Sequence, residues 1–278
     1  MHGRARRTTG LTLIEMTLVL GTVALMVGLA IPAVRSLVRS FQSEGGTISM
    51  VNAALSSARA MAVSRQRYVG VRFQKACVST DPADPLKGLL DAPQYMIFVV
   101  HEEMKNNGDV ADGFRAMDGL EPIKLPSMTG MMDLGRITGD GDIDELRELS
   151  DATTFSVVFA PSGRHIVHPV RVRNKDGVNR PQTGLVPPTP SLDDTFNLAD
   201  TICRTGRGRF IQDDYPRGDS LLDLGLGEEP SCTSFVVYEQ PRLRTEYPKK
   251  TAWTLYLSSL AGKAYYVSPH TGDLIASD

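Results

Sequence analysis

The chain has 278 residues, 41% of them hydrophobic and 22% charged, which is enough for one large domain or two small ones with a sizeable core. A formal net charge of −2 gives no basis for binding nucleic acid or an anionic membrane surface. Three cysteines are too few for a disulfide scaffold, and without a CxxC spacing they do not indicate a zinc site.

The first ten residues carry Arg4, Arg6 and Arg7 and no acid, so a basic leader precedes a mildly acidic body. Residues 11–34 then form an apolar run broken by one charge, Glu15. As a helix rising about 1.5 Å per residue, that run reaches about 36 Å, enough to cross a hydrocarbon core of about 30 Å. The leading arginines place the N-terminus on the cytoplasmic side and the body outside; Arg35 and Arg39 oppose this orientation weakly. A cleaved secretory signal has a shorter apolar core followed at once by polar chain. Here a helical pattern continues through residues 35–44 and 47–65. A plain single-pass anchor explains the hydrophobicity but not Glu15. A carboxylate in hydrocarbon costs about 2.5–3.5 kcal/mol at mid-helix and less near an end. Pro32 removes one backbone hydrogen bond and bends a helix. Gly21 and Gly28 either loosen the preceding turns or serve as small packing residues.

Ile48, Val51, Leu55, Ala58 and Ala62 recur at spacings of three and four, an apolar stripe that docks a helix on the head of the protein. Gly45-Gly46 is expected to interrupt that helix. Short strands come next. Val69, Val71 and Phe73 alternate with polar or small residues, and Tyr95–Val100 is denser. Phe155–Ala160 and His165–Val172 are joined by the turn Pro161-Ser162-Gly163. Ser234–Tyr238, Trp253–Ser258 and Ala264–Val267 succeed them, then a turn at 268–272 into Asp273–Ile275. The expected fold class is α+β: a long N-terminal helix, membrane-spanning in its first half, packed on an antiparallel β-sheet or sandwich head. The expected parts are a leader at 1–10, a transmembrane helix at 11–34, an exported helix at 35–66 and a β-rich head at 67–278. Residues 77–150 and 173–232 read as long insertions. Pro181, Pro187, Pro188, Pro190 and Pro216 suit an exposed excursion, either solvated or a partner surface.

Candidate chemistry is sparse. Asp140, Asp142 and Asp144 alternate as in a calcium loop, with Asp151 at the twelfth place. The sixth position is Glu145 where an EF-hand needs glycine, so calcium is a weak candidate beside an acidic solvated turn; no other cofactor is expected. His165 and His168 lie three apart on an expected strand and point to opposite faces. No HExxH, GxSxG, P-loop or clean GxGxxG occurs, and Gly206-Arg207-Gly208-Arg209 lacks the context of a nucleotide site. Enzymatic activity is therefore not expected. Cys203 and Cys232 flank a loop-rich stretch and are the preferred pair for a bridge in an exported body, leaving Cys77 over; three free thiols are the alternative.

Gly10-Leu11-Thr12-Leu13-Ile14-Glu15 resembles the prepilin processing site of type IV pilins and type II secretion pseudopilins. The resemblance implies cleavage after Gly10 by the prepilin peptidase, a membrane aspartyl enzyme, and N-methylation of the new first residue, Leu11. That position is more often Phe or Met in the family. It also implies that Glu15 neutralises the Leu11 amine of a neighbouring subunit, a pair that favours register more than stability. Pro32 falls where the family commonly has a helix-kinking proline. Met50–Phe73 resembles the helix-to-first-strand region of pseudopilin H and the related minor pilins, where an "LxxARxxAV" pattern (here Leu55–Val63) precedes an alternating strand, and Phe159–Arg164 resembles the "F-x-P-x-G-R" strand end and turn of that group. The implied function is structural, a minor pseudopilin in the inner membrane with its head in the periplasm. The implied partners are other pseudopilins or pilins, prepilin peptidase and the inner-membrane assembly platform. The alternative is a minor type IV pilin acting at the tip, in adhesion or in DNA uptake, although the acidic body argues against nucleic acid.

Overall fold

The computed structural model describes residues 13–14, 16–23, 25–26, 44–103, 113–140, 143–176, 191–213 and 228–277. The described residues between 13 and 26 are helical, and their large apolar side chains, from Leu13 (80%) to Val23 (51%), are all more than half exposed. Among the described residues no helix is long and apolar enough to cross a membrane. The expected long N-terminal helix is therefore not found among the described residues. An apolar run sets which surroundings a segment prefers, but it does not establish that one helix continues from there into the next. The helix that packs on the sheet is α1, Glu44–Arg65. Gly45 and Gly46 do not interrupt it. Both are helical residues of α1. Gly10, Leu11, Glu15, Gly28, Pro32 and residues 35–43 lie outside the described residues.

In chain order, α1 leads into β1 (Val69–Lys75), β2 (Gln94–Glu102), β3 (Gly113–Ala116), β4 (Ile123–Lys124) and β5 (Thr129–Asp133). Helices α2 (Leu134–Asp140) and α3 (Leu146–Thr153) precede β6 (Phe155–Phe159), β7 (His165–Ile166), β8 (Pro169–Val170) and β9 (Val172–Arg173). Next come β10 (Phe196–Asn197), α4 (Ala199–Thr205), β11 (Phe210–Ile211) and β12 (Glu229–Pro230). The chain closes with β13 (Ser234–Glu239), α5 (Gln240–Glu246), α6 (Lys250–Ala261), β14 (Ala264–Val267) and β15 (Leu274–Ala276).

The main sheet runs β7-β6-β1-β2-β3-β9, with β4 on β2. Its central pairs are antiparallel, with Val71 facing Phe98 on one side and Val157 on the other. Alternation along β1 divides the sheet into two faces. Val69, Val71 and Phe73 join Met96, Phe98, Phe155, Val157 and Phe159 in one core, and α1 presses Val51, Leu55, Ala58 and Ala62 into it. A second sheet, β15-β14-β13-β5, carries α2, α3 and α6 around a core of Met132, Val236, Tyr238, Trp253 and Leu257.

Three local expectations need correction. Trp253–Ser258 lies in α6, not in a strand. Trp253, Tyr256, Leu257 and Leu260 are buried at helical spacing, and that periodicity overrides the strand preference of Trp, Tyr and Thr. His165–Val172 is not one strand but three short pieces. β7, β8 and β9 pair with β6, β12 and β3 in turn, and Pro169 cannot donate to a continuous ladder. The described parts of 173–232 are not an exposed excursion. β10, α4 and β11 cover the second face of the main sheet, with Phe196 and Phe210 buried against Val99, Phe114, Val158 and Val172.

Candidate functional site

Helix α1 has two distinct surfaces, one held by the head and one left open by the described residues. Thr47 Oγ1 lies 2.7 Å from Thr129 Oγ1, pinning the start of α1 to β5. Farther along, the Arg59 guanidinium donates to the carbonyls of Gly163 (2.8 Å), Thr271 (2.7 Å) and His270 (3.2 Å). One side chain thus clamps α1 to the turn after β6 and to the turn before β15. Gly163 has φ +78°, and a Cβ there would sit 2.9 Å from Val63 Cγ2. The turn therefore needs glycine for its backbone and for its approach to α1. Arg59 belongs to the Leu55–Val63 pattern and Gly163 to Phe159–Arg164, so two segments singled out separately in the sequence touch in the fold.

The opposite face of α1 is left uncovered by the described residues. Ser49, Ala53, Ser56, Ser57, Ala60 and Ser64 are exposed there. Ser49 and Ser57 turn their hydroxyls back onto carbonyls four residues earlier, at 2.9 and 2.8 Å. The face is consequently smooth, with those hydroxyls already satisfied. Such a surface lets a second helix approach closely.

A charged network fills the second face of the main sheet. Arg72 and Asp213 have side chains only 1% exposed, and their N–O distance is 2.6 Å. Arg72 also donates to Gln74 Oε1 at 2.9 Å, and Gln74 donates to the Ile211 carbonyl at 2.7 Å. The other oxygen of Asp213 accepts the Val172 N–H at 2.6 Å. Glu229 sits 3.8 Å from Arg72 and 3.5 Å from Arg136, which pairs with Asp151 at 3.1 Å. Burial pushes Asp213 and Asp151 above the usual carboxylate range and Glu229 up to about 8, outweighing the nearby arginines. The network ties the covering segment 210–213 to β1. Its members are acids, arginines and an amide.

This network is not apparent in the sequence. Arg72 and Gln74 occupy the polar positions of an alternating strand, which normally face water. The one signal is that two long polar side chains share that face. Lys75 is a second such case. It is 4% exposed, and its ammonium donates to the carbonyls of Leu89 (3.1 Å), Ala92 (3.1 Å) and Leu90 (3.4 Å), holding the loop after β1. Burial pulls its pKa down to about 7 against the opposing charge of Asp91.

The other sequence candidates do not converge. Asp140 ends α2, Asp142 lies outside the described residues, and Asp144 pairs with Lys250. Glu145 and Glu148 form a capping box at the start of α3, with Glu148 Oε2 accepting the Asp144 and Glu145 N–H groups at 2.9 and 3.1 Å. Asp144 and Glu145 thus lead directly into α3. Among the described residues no group of three or more His, Cys, Asp or Glu side chains is placed to hold a metal ion. His165 Nε2 lies 3.1 Å from the Cys232 carbonyl, while His168 stacks among Tyr68, His101 and Phe114. Cys77, Cys203 and Cys232 are all free thiols in this structure, so the expected Cys203–Cys232 bridge is not formed in it. Cys232 donates to the Ser234 carbonyl at 2.7 Å and lies 3.3 Å from Asp133.

Compared with known proteins, the chain matches no protein-family model, no curated protein and no solved structure.

Proposed function

We propose that the chain is a structural subunit of a pilin-like filament, a minor pseudopilin of a type II secretion system. It is held in the inner membrane by its N-terminal segment before assembly, with the head in the periplasm. The observation that carries this reading is the unburied apolar helical stretch between Leu13 and Met26. Burying a large apolar side chain contributes about 1.5–3 kcal/mol. Nine such residues left open strongly favour lipid or neighbouring helices as their surroundings. The smooth outer face of α1 supports the same reading, because it suits side-by-side packing of helices from adjacent subunits. The contact between Arg59 and Gly163 supports it too, since it joins the two head segments that resemble minor pseudopilins. In this reading the peptidase cuts after Gly10, Leu11 is methylated, and Glu15 meets the freed amine of a neighbour.

The test is mass spectrometry of the mature N-terminus together with two variants. The wild type is expected to begin at a methylated Leu11. Gly10→Phe is expected to leave the full precursor in the membrane. Glu15→Leu is expected to be cleaved yet fail to enter filaments. A native chain that still begins with its arginines, or a Glu15→Leu chain that assembles normally, refutes the proposal.

A further inference from the structure

Two cysteines far apart in the sequence, Cys77 and Cys203, lie at the edge of the covering layer. After β1 the chain is held by Ala76 N–H to the Pro93 carbonyl at 2.9 Å and by Cys77 N–H to the Arg209 carbonyl at 3.0 Å. The second bond places Cys77 on the segment that carries α4 and β11. Its side chain packs against Ala199, Ile202 and Ile211. Cys203 comes directly after Ile202 on α4 and is 7% exposed. The Cys77 thiol donates to the Pro85 carbonyl at 3.5 Å, and Cys203 shares the helical face of Ala199 and Ile202 on which Cys77 packs. Cys232, by contrast, is engaged with Ser234 and Asp133.

We propose that Cys77 and Cys203 form a disulfide in the exported protein, clamping α4 and the covering layer to the end of β1. The inference rests on the periplasmic placement of the head proposed above, because structural disulfides persist in oxidising compartments. The oxidant is a thiol–disulfide exchange partner, either a disulfide carrier protein or oxidised glutathione. One cysteine thiolate attacks the oxidant's disulfide and expels one of its sulfurs as a thiolate, giving a mixed disulfide. The second cysteine then displaces the other sulfur. The two protein thiols together lose two protons and two electrons, and the oxidant leaves as two thiols. Burial, and the neighbouring sulfur after it, push the Cys77 thiol up to about 12, so exchange at neutral pH is slow and accelerates as pH rises. The bridge would leave Cys232 as the single thiol.

The test uses the full chain, purified in detergent under reducing conditions, then incubated with oxidised glutathione at pH 8.5, alkylated and peptide-mapped. A peptide joining Cys77 to Cys203, with the loss of two hydrogens and with Cys232 alkylated only after unfolding, is expected. Cys232→Ser is expected to leave that linkage unchanged. A Cys203–Cys232 linkage, or no linkage while the protein remains folded, overturns the pairing. A second arm traps the thiols in producing cells with acid. A bridge there supports the full proposal. Linkage in vitro with reduced thiols in cells overturns the oxidising-compartment reading and leaves the pairing standing.

Discussion

Arg72→Met is the most informative single perturbation of the head. It removes a guanidinium whose side chain is 1% exposed and leaves Asp213, equally buried, without the ion 2.6 Å away. Breaking one partner of a buried pair costs about 3–5 kcal/mol, because the remaining charge is dehydrated and uncompensated. Asp213 keeps the Val172 N–H at 2.6 Å and the attraction of Arg173, which places the expected loss near the low end, about 3 kcal/mol. For a protein of this size that is a fall in Tm of about 6–12 °C. Asp213→Asn removes the charge and keeps an acceptor for Val172, so the double variant Arg72→Met/Asp213→Asn should recover most of the loss. Thermal and urea unfolding of the four proteins form a double-mutant cycle. Protease sensitivity within 191–213 should rise in the single variants, since the pair anchors that layer. An Arg72→Met protein within about 1 kcal/mol of wild type refutes the reasoning. So does a double variant as unstable as the two single losses added together.

Two further outcomes are expected of the head. Burial raises Glu229 from an ordinary 4.5 to about 8, so the folded protein holds a proton there that the unfolded chain has released. Stability from this residue is therefore present below the ordinary value and falls as pH rises through that window, by at most about 1.4 kcal/mol per pH unit. Glu229→Gln should flatten Tm between pH 5 and pH 8; an unchanged slope would assign the pH dependence to other groups. Gly163→Ala should lose about 1–3 kcal/mol by forcing a side chain into the left-handed region against Val63, measured by urea unfolding. An alanine variant as stable as wild type would mean the turn does not depend on that backbone.

Much of the secondary structure was legible because it obeys local periodicity. The stripe Val51, Leu55, Ala58 and Ala62 is the buried face of α1, and the alternation of Val69, Val71 and Phe73 belongs to β1. Tyr95–Val100 lies within β2, and Pro161-Ser162-Gly163 turns after β6. Legibility failed where two local signals competed or where burial came from distant chain. Trp253–Ser258 shows the first failure, since aromatic and β-branched composition suggested a strand while the spacing of Trp253, Tyr256 and Leu257 belonged to a helix. Arg72, Gln74 and Lys75 show the second. Nothing near them in sequence reveals that residues 211–213 and 89–92 will remove them from water.

From the residues alone come the apolar N-terminal run with its single carboxylate, the docking stripe of α1 and the strands of the head. Each is a one-segment property, set by hydropathy and by the periods of helix and strand. The fold alone decided that Arg59 grips the turn holding Gly163, that Cys77 packs on the helix carrying Cys203, and that Cys232 is engaged elsewhere with Ser234. Those outcomes depend on which distant segments close against one another. Such closure balances chain entropy against burial over the whole molecule, a sum that no local window contains.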